Sequence, residues 1–515
     1  GSGGIATAKR ERGASLSLSE VKDAVELYED LPLVMRIILA EAVDMDYGDD
    51  PKDIVRRLYD RSDSLPMDDV RKYYTEGSKK PSRRDVETVL IDFEDAVVME
   101  SGVDSQIPRQ ARKDGSAPGS ADARAFFDKV CGQSTFQPSE PPINAGEVWV
   151  IRGTNAKKDA ASLVEAMEKR LEESMPSWSE RNAFCYVGDP SLREGSEDIF
   201  GDPVILIASK DMAPESSRAL ANLSSLAALT GTLLFSLGAF GSNPVVLDRL
   251  REANAVADYD LGWFNELLFP LAASIGAIQL SHELAHLFVA KRDGLKVTPP
   301  TILPSLGLPY LSFLNRLKAP PKDFVSLWDF GFAGPAAGLA ASFAFLVGGL
   351  QLTTTVDAEA ARYLPALPVA FVKLSTLGGT LVDQFVGGGT GMLLEQTEGM
   401  IPLHPFAIAG FVGLMINSLD LIPIGGSDGA RVMQSILGRL GQTVVSGIVY
   451  LGLIFALLLS NDQMDIFFSY AIVNTLAQRD LEIPCRNEID RVGLPRAAAA
   501  LGAFFVAALV LVPMS

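Results

Sequence analysis

Cysteine is nearly absent from this 515-residue chain. Cys131, Cys185 and Cys485 are odd in number and far apart, which excludes a disulfide framework and a cysteine-type zinc site. Three reduced thiols in a reducing compartment are the plain reading. Basic charge is short as well. Lys plus Arg number 45 against 64 for Asp plus Glu, a formal net charge of -19. This acidic balance argues against a nucleic-acid binder, which would carry a basic stripe. A glycine-rich phosphate loop is missing from the one stretch that alternates strand and helix patterns, so nucleotide binding is not indicated. Histidine is scarce too, with three in the chain. Two of these, His282 and His286, share one short and otherwise greasy segment, "QLSHELAHLFVAKRDG".

What the chain has in plenty is apolar residues, 48% of the total. They are distributed unevenly. Residues 1–125 are charged and low in aromatics and read as a helical N-terminal module and linker. Ser19 is placed as an N-cap there, with Glu20 and Asp23 in the first turn, and Pro51 opens a second helix. The Ser/Gly-rich first stretch reads as the remnant of a transit peptide or as a plain chain end. Residues 126–215 read as a small soluble α/β domain: strands at "GEVWVIRG", "NAFCYVGD" and "DPVILIASKD", and a helix at "KKDAASLVEAMEKRLEESM".

From 216 to 515 the chain becomes membrane-like. A bilayer core needs roughly 20 mostly apolar residues per helix. Candidate spans lie at 219–240, 262–290, 328–353, 402–424, 441–460, 466–478 and 497–514, while 363–386, with Lys373 and Asp383, reads as re-entrant or peripheral. The fold class expected is thus a polytopic α-helical membrane protein of about seven spans, with a helical module and a small α/β domain ahead of it. In this topology most loop Lys and Arg residues, Lys291, Arg292, Arg431 and Arg496 among them, fall on the side of the N-terminal domains, against Arg249, Arg251, Arg362 and Lys373 on the other.

"HELAH" is an H-E-x-x-H sequence. On a helix, positions i and i+4 share a face, so His282 and His286 can offer ring nitrogens to one ion, and Glu283 is placed to take a proton from a water. Zinc suits such a set, with one further protein ligand and an open position. The bland alternative is a polar patch against a neighbouring helix. Ionisable groups inside a bilayer are costly and usually functional, which favours the metal. A third ligand is at hand in "LMINSLDLIPIGGSDGARV": Pro423 stops the helix, glycines let the chain turn back at membrane depth, and Asp428 falls at the same membrane side as His282 and His286.

Together "SHELAH", "GFAGPAAG" at 331–338 and "NSLDLIPIGGSDGARV" resemble the site-2 protease family of intramembrane zinc metalloproteases. The finer resemblance is to its chloroplast branch, which is named for ethylene-dependent gravitropism deficiency and a yellow-green phenotype. The resemblance covers about residues 145–480. It implies Zn2+ held by His282, His286 and Asp428, Glu283 as catalytic base, and membrane-embedded protein substrates. It also implies a multi-pass chloroplast membrane location, thylakoid or envelope, with the N-terminal domains on the stromal side. The family's second motif has an asparagine that helps polarise the scissile carbonyl; here that slot holds Asp420, with Asn417 one turn earlier as a substitute. The alternative is a proteolytically weak or inactive scaffold or assembly factor of a chloroplast membrane complex. The N-terminal module is the place for docking on a larger, photosynthetic membrane complex. The string "GFAGPAAG" reads as helix packing, His404 as a helix-entry residue, and Val297 to Phe313 either as a strand edge for an unwound substrate or as a plain loop.

Overall fold

The computed structural model describes residues 49–60, 118–145, 148–189, 202–210, 218–255, 260–391, 398–459, 465–477 and 482–514, with a few isolated others. The chain forms two compact units, Gly1–Val97 and Val98–Ser515. In the first unit, helix α1 (Pro51–Asp60) starts at its proline as the sequence suggests, and Asp50 accepts a hydrogen bond from the Lys52 amide at 2.9 Å. The other two N-terminal helices expected from the sequence lie outside the described residues.

The second unit opens with α2 (Ser120–Lys129), within what reads as the end of a linker. The antiparallel pair of β1 (Phe136–Pro138) and β4 (Gly153–Asn155) accompanies a four-stranded antiparallel sheet. That sheet contains β2 (Ile143–Ala145), β3 (Val148–Ile151), β5 (Asn182–Gly188) and β6 (Pro203–Ser209), in the order β2-β3-β6-β5. Val148, Val150, Val204 and Leu206 are among its buried β-branched and aliphatic residues. The amphipathic α3 (Ala160–Ser174) is capped by Asp159, which accepts from the Ser162 amide at 2.7 Å. At β5 the sheet is extended from far along the chain. The Tyr186 amide donates to the Arg486 carbonyl at 2.8 Å and the Glu488 amide donates to the Tyr186 carbonyl at 2.9 Å. Cys185, Cys485 and Phe324 share one buried cluster there, so the α/β layer is joined directly to the helical part.

Among the described residues, five helices are long and apolar enough to cross a bilayer: α4 (Arg218–Gly241), α5 (Gly262–Asp293), α6 (Phe324–Thr355), α9 (Asp428–Leu459) and α11 (Leu494–Leu511). Two of the spans read from sequence are shorter helices than expected. The stretch 402–424 is a 16-residue helix, α8 (Pro405–Asp420), with every residue from Ala407 to Asp420 buried. At 1.5 Å per residue it is about 24 Å long, short of a bilayer core of about 30 Å, and it is encased by protein rather than lipid. The stretch 466–478 is the 13-residue α10 (Asp465–Ala477). Segment 363–386 breaks into a 3₁₀ turn, the short strand β9 (Ala366–Pro368, paired with β10, Met400–Pro402) and α7 (Thr376–Val386), none of them long enough to span.

Helix termination follows local chemistry. Lys291 and Arg292 occupy the last turn of α5, and Gly294 closes it in the left-handed region at φ 66°. Asp323 caps α6, accepting from the Ser326 amide at 2.8 Å. Two close approaches fix how α8 sits against α6. A Cβ on Gly349 would fall 2.0 Å from the Ala407 amide nitrogen, and one on Gly410 would fall 2.1 Å from that of Leu346. The β-hairpin of β7 (Thr301–Leu303) and β8 (Ser312–Leu314) lies beside α4, where Ser224 Oγ donates to the Ile302 carbonyl at 2.7 Å and the Ile302 amide donates to Ser225 Oγ at 3.2 Å.

Candidate metal centre

His282 and His286 lie one turn apart on the buried face of α5, and Asp428 is the first residue of α9. Ser427 organises that entry. Its hydroxyl accepts from the Ala430 amide at 3.1 Å and donates to the Ile422 carbonyl at 2.7 Å, turning the chain back on itself after Pro423. Gly429 is required at this reversal, because a Cβ there would fall 2.0 Å from the Leu421 carbonyl oxygen. Beyond it, α9 kinks at Gly438, φ 77°, before crossing.

Three ligand atoms converge. His286 Nε2 is 3.0 Å from His282 Nε2 and 3.0 Å from Asp428 Oδ2, and His282 Nε2 is 3.3 Å from the same carboxylate oxygen. All three residues are buried. Among the described residues this is the one group of histidine, cysteine and carboxylate side chains able to hold a metal ion.

The surroundings show whether a cation fits. His282 Nδ1 lies 2.7 Å from Asn417 Oδ1. Asn417 Nδ2 donates to the Gly413 carbonyl at 2.8 Å, which fixes the amide with its oxygen towards the ring. An amide oxygen only accepts, so the imidazole proton sits on Nδ1 and Nε2 presents a lone pair. That lone pair faces a carboxylate oxygen and a second imidazole nitrogen. A metal ion relieves all three donors at once, where a proton serves two. Space exists for it: a Cβ on Gly334 of α6 would fall 2.2 Å from His286 Nε2 and 2.6 Å from His282 Nε2. The absent side chain keeps clear the volume in front of the ligand nitrogens.

Glu283 is buried beside the pair. Its Oε2 accepts from Asn315 Nδ2 at 2.8 Å, while Oε1 has no hydrogen-bond partner. Arg431 is buried too. It donates through Nη1 to Asp428 Oδ1 at 2.9 Å, through Nε to Glu482 Oε2 at 2.5 Å, and through Nη2 to the Asn315 carbonyl. Arg431 is therefore a fixture of the site, not a loop cation as its position in sequence suggests. One guanidinium orients the ligand carboxylate and also holds the backbone of the residue that orients Glu283.

The structure brings together His282, Glu283, His286, Asn417 and Asp428, but gives Asn417 a different task from the one expected. Its amide is spent on His282, Gly413 and Ser342, so it is not a free donor towards a carbonyl. Asp420 stands off the triad. It ends α8 and faces a pocket lined by Ser312, Tyr470 and Asn474. His404 keeps its expected role, N-capping α8 through Nδ1, which accepts from the Phe406 amide at 3.2 Å. Sequence reasoning missed Gly334, Asn315 and Arg431. The string "GFAGPAAG" carried the signal for the first: Gly331, Gly334 and Gly338 face Arg431, the two histidines and Asn417 in turn.

Residues 270–459 match the model of Peptidase family M50. The chain is 29% identical over 256 residues to "Probable zinc metalloprotease EGY1, chloroplastic" of Oryza sativa subsp. japonica, covering 49% of this chain and 42% of that protein. Its identity to the Arabidopsis thaliana EGY1 protein of the same description is 28% over 281 residues, 53% and 48% of the two chains. To the Arabidopsis thaliana "Probable zinc metalloprotease EGY2, chloroplastic" it is 29% over 272 residues, 50% and 44%. The match thus spans less than half the length of these relatives. No solved structure matches the chain. Residues 270–459 form a domain of peptidase family M50, the site-2 protease family, and about half of the chain is homologous to proteins named as probable chloroplastic zinc metalloproteases.

Proposed function

We propose that this chain is an intramembrane zinc metalloendopeptidase that hydrolyses peptide bonds of membrane-embedded protein substrates. One observation carries the reading: two imidazole nitrogens and one carboxylate oxygen converge inside a helical bundle, with an unpartnered glutamate oxygen beside them. His282, His286 and Asp428 would hold the ion. A zinc ion there supplies Lewis-acid activation of water and of the scissile carbonyl. Glu283 Oε1 takes the proton of the attacking water and returns it to the leaving amine, held in place by the bond from Asn315 to Oε2. Asn417 fixes the tautomer and ring orientation of His282. Arg431 holds Asp428 Oδ1, which leaves Oδ2 turned towards the histidines.

A substrate helix hides its amides in its own hydrogen bonds and must be unwound before attack. The β7–β8 hairpin supports strand pairing as the means. The outer edge of β7 is taken up by Ser224 and Ser225, whereas among the described residues β8 pairs with β7 alone and leads within one residue to Asn315. A strand laid along β8 would lie beside Glu283.

The chloroplastic relatives support a chloroplast membrane location. The stromal orientation of the α/β layer rests on the basic residues gathered at its end of the bundle. Arg486 pairs with Glu168 at 2.6 Å, and Arg292 and Arg496 meet at Asp329 at 2.6 and 2.8 Å. The scaffold alternative is not favoured, because the matched relatives are named as probable zinc metalloproteases and His282, His286, Asp428 and Glu283 lie together here. Docking on a larger complex depends on residues 1–125, most of which lie outside the described residues.

The test is zinc content together with cleavage of model transmembrane peptides by wild type and Glu283→Gln. Stoichiometric zinc in both and cleavage in wild type only is the expected result. Zinc without Glu283-dependent cleavage supports the scaffold, and absence of zinc refutes the site.

A further inference from the structure

The hydrolytic chemistry leaves one requirement unfilled. As water adds to a peptide bond, the electron pair of the C=O bond moves onto the carbonyl oxygen. A hydrogen-bond donor aimed at that oxygen lowers the barrier. Asn417 is not that donor, because its amide is spent within the bundle. Asn315 Nδ2 is turned to Glu283. An ionised Asp420 has nothing to donate.

A buried donor does stand beside the site. Gln279 lies on α5, three residues before His282 and four before Glu283, so the three share one face of the helix. It is 2% exposed. Its Oε1 accepts from the Tyr310 hydroxyl at 3.3 Å, while Nε2 has no hydrogen-bond partner. One turn on, Glu283 Oε1 is buried and unpartnered in the same way. The third such atom on this helix, His286 Nδ1, belongs to a ligand ring. A buried amide nitrogen is costly to leave unsatisfied and calls for an explanation. Here the pair of atoms complements the reaction: an acceptor for the proton of water and, one turn away, a donor for the carbonyl oxygen. The residue that anchors Gln279 also belongs to the hairpin. Tyr310 precedes β8 by two residues, and β8 is the strand along which a substrate would lie.

We propose that Gln279 is a catalytic residue whose Nε2 donates a hydrogen bond to the scissile carbonyl oxygen and stabilises the negative charge that gathers there. The proposal rests on the protease reading above. The oxygen of water bonds to the carbonyl carbon, its proton passes to Glu283, and the C=O pair moves onto the oxygen held by Gln279. The pair then returns, the C–N bond breaks, and Glu283 gives the proton to the leaving amine. Gln279 itself transfers no proton. Tyr310 is a positioning residue: it engages Oε1 and leaves both Nε2 hydrogens free.

The test uses the full chain, loaded with zinc, and synthetic transmembrane peptides. Gln279→Met keeps the length of the side chain and removes the donor. Zinc affinity and the thermal midpoint should stay at the wild-type level, since Nε2 has no partner to lose and the Tyr310 hydroxyl can turn to the Ile275 carbonyl, 3.5 Å away. Turnover should suffer alone: kcat falls by about 100-fold or more while KM moves by less than about threefold. Gln279→Leu repeats the comparison with a second shape. An independent readout is the infrared spectrum of a peptide with an isotope-labelled scissile carbonyl, bound to Glu283→Gln. Its C=O stretch should lie at lower frequency there than in the double variant Glu283→Gln/Gln279→Met. Unchanged kcat in both Gln279 variants, a loss confined to KM, or the same carbonyl frequency with and without Gln279 overturns the proposal. A drop in zinc affinity or thermal midpoint that accounts for the lost turnover makes Gln279 structural and overturns it too. A carbonyl shift that depends on Gln279, with no cleavage by wild type, refutes the protease reading and leaves the carbonyl contact standing.

Discussion

Gly334→Ala adds one methyl group to α6 and places it against both metal-ligating rings, 2.2 Å from His286 Nε2 and 2.6 Å from His282 Nε2. Ordinary contact needs about 3.5 Å, so the rings must retreat by roughly 1 Å. Ligand distances in a zinc site tolerate only about 0.2 Å. The histidines also cannot retreat freely, since His282 is tied to Asn417 and the centroid of the His286 ring lies 4.7 Å from that of Phe330. We therefore expect zinc affinity to fall by at least about 100-fold, and cleavage to fall with it by about 100-fold or more. The helix itself should not suffer, because alanine is favoured over glycine in a helix interior by about 1 kcal/mol. Gly348→Ala on the same helix is the control: a Cβ there meets nothing within 4 Å, and zinc binding should be untouched. The assay is zinc stoichiometry of purified protein and competition with a chelator of known affinity, with circular dichroism to confirm the fold. Wild-type zinc affinity in Gly334→Ala would refute the placement of the metal in front of α6.

Further outcomes follow from the same geometry. Asn417→Ala should weaken zinc binding about 10- to 100-fold, measured by the same competition, with Asn417→Gln unable to rescue it because the longer amide cannot keep both its bonds. Arg431→Met leaves Asp428 and Glu482 buried without their cation and should destabilise the protein by about 3–5 kcal/mol in thermal unfolding, part of which Glu482→Met should restore. Burial pushes the Cys131 thiol up to about 12, and raises those of Cys185 and Cys485 as well. All three should resist iodoacetamide at pH 8 until the protein unfolds. The sign of the linkage is fixed by the same shift. Unfolded thiols ionise near about pH 8.5 and the folded ones far above it, so stability is whole below about pH 8.5 and declines as pH rises towards about 12.

The candidate metal ligands were legible because each belongs to a local pattern. His282 and His286 need only the i, i+4 geometry of a helix, and Asp428 follows a helix-stopping proline and glycines that allow reversal. The strands of the α/β layer were legible from their β-branched runs. Helix α8 is shorter and more enclosed than the span read at 402–424, because apolar composition does not distinguish a lipid-facing helix from one encased by protein; every residue from Ala407 to Asp420 is buried. Arg431 was misread for the opposite reason. A lone arginine after a turn has the sequence appearance of an interfacial charge, and only the fold shows three acceptors converging on it. Asn315 carried no signal, since its partner Glu283 is 32 residues away. Gly334 carried a signal that was ambiguous: a small-residue string serves close helix packing and also makes room for an ion, and here it does both.

The charge balance of the site explains why these residues come as a set. Glu283, Asp420, Asp428 and Glu482 bring four carboxyl groups into one buried neighbourhood, and Arg431 returns one positive charge. Left so, the cluster holds an excess of acidic groups in a region of low dielectric, an arrangement that is strongly disfavoured. A divalent cation at His282, His286 and Asp428 would offset much of that excess, and neutral imidazoles are ligands that let it do so without adding charge of their own. The same accounting assigns Glu482 its purpose. Asp428 needs Arg431 to hold its second oxygen, yet Arg431 alone would cancel the charge with which Asp428 binds the metal. Glu482 offsets Arg431 from the far side, so the ligand is oriented by a guanidinium and keeps its attraction for the ion.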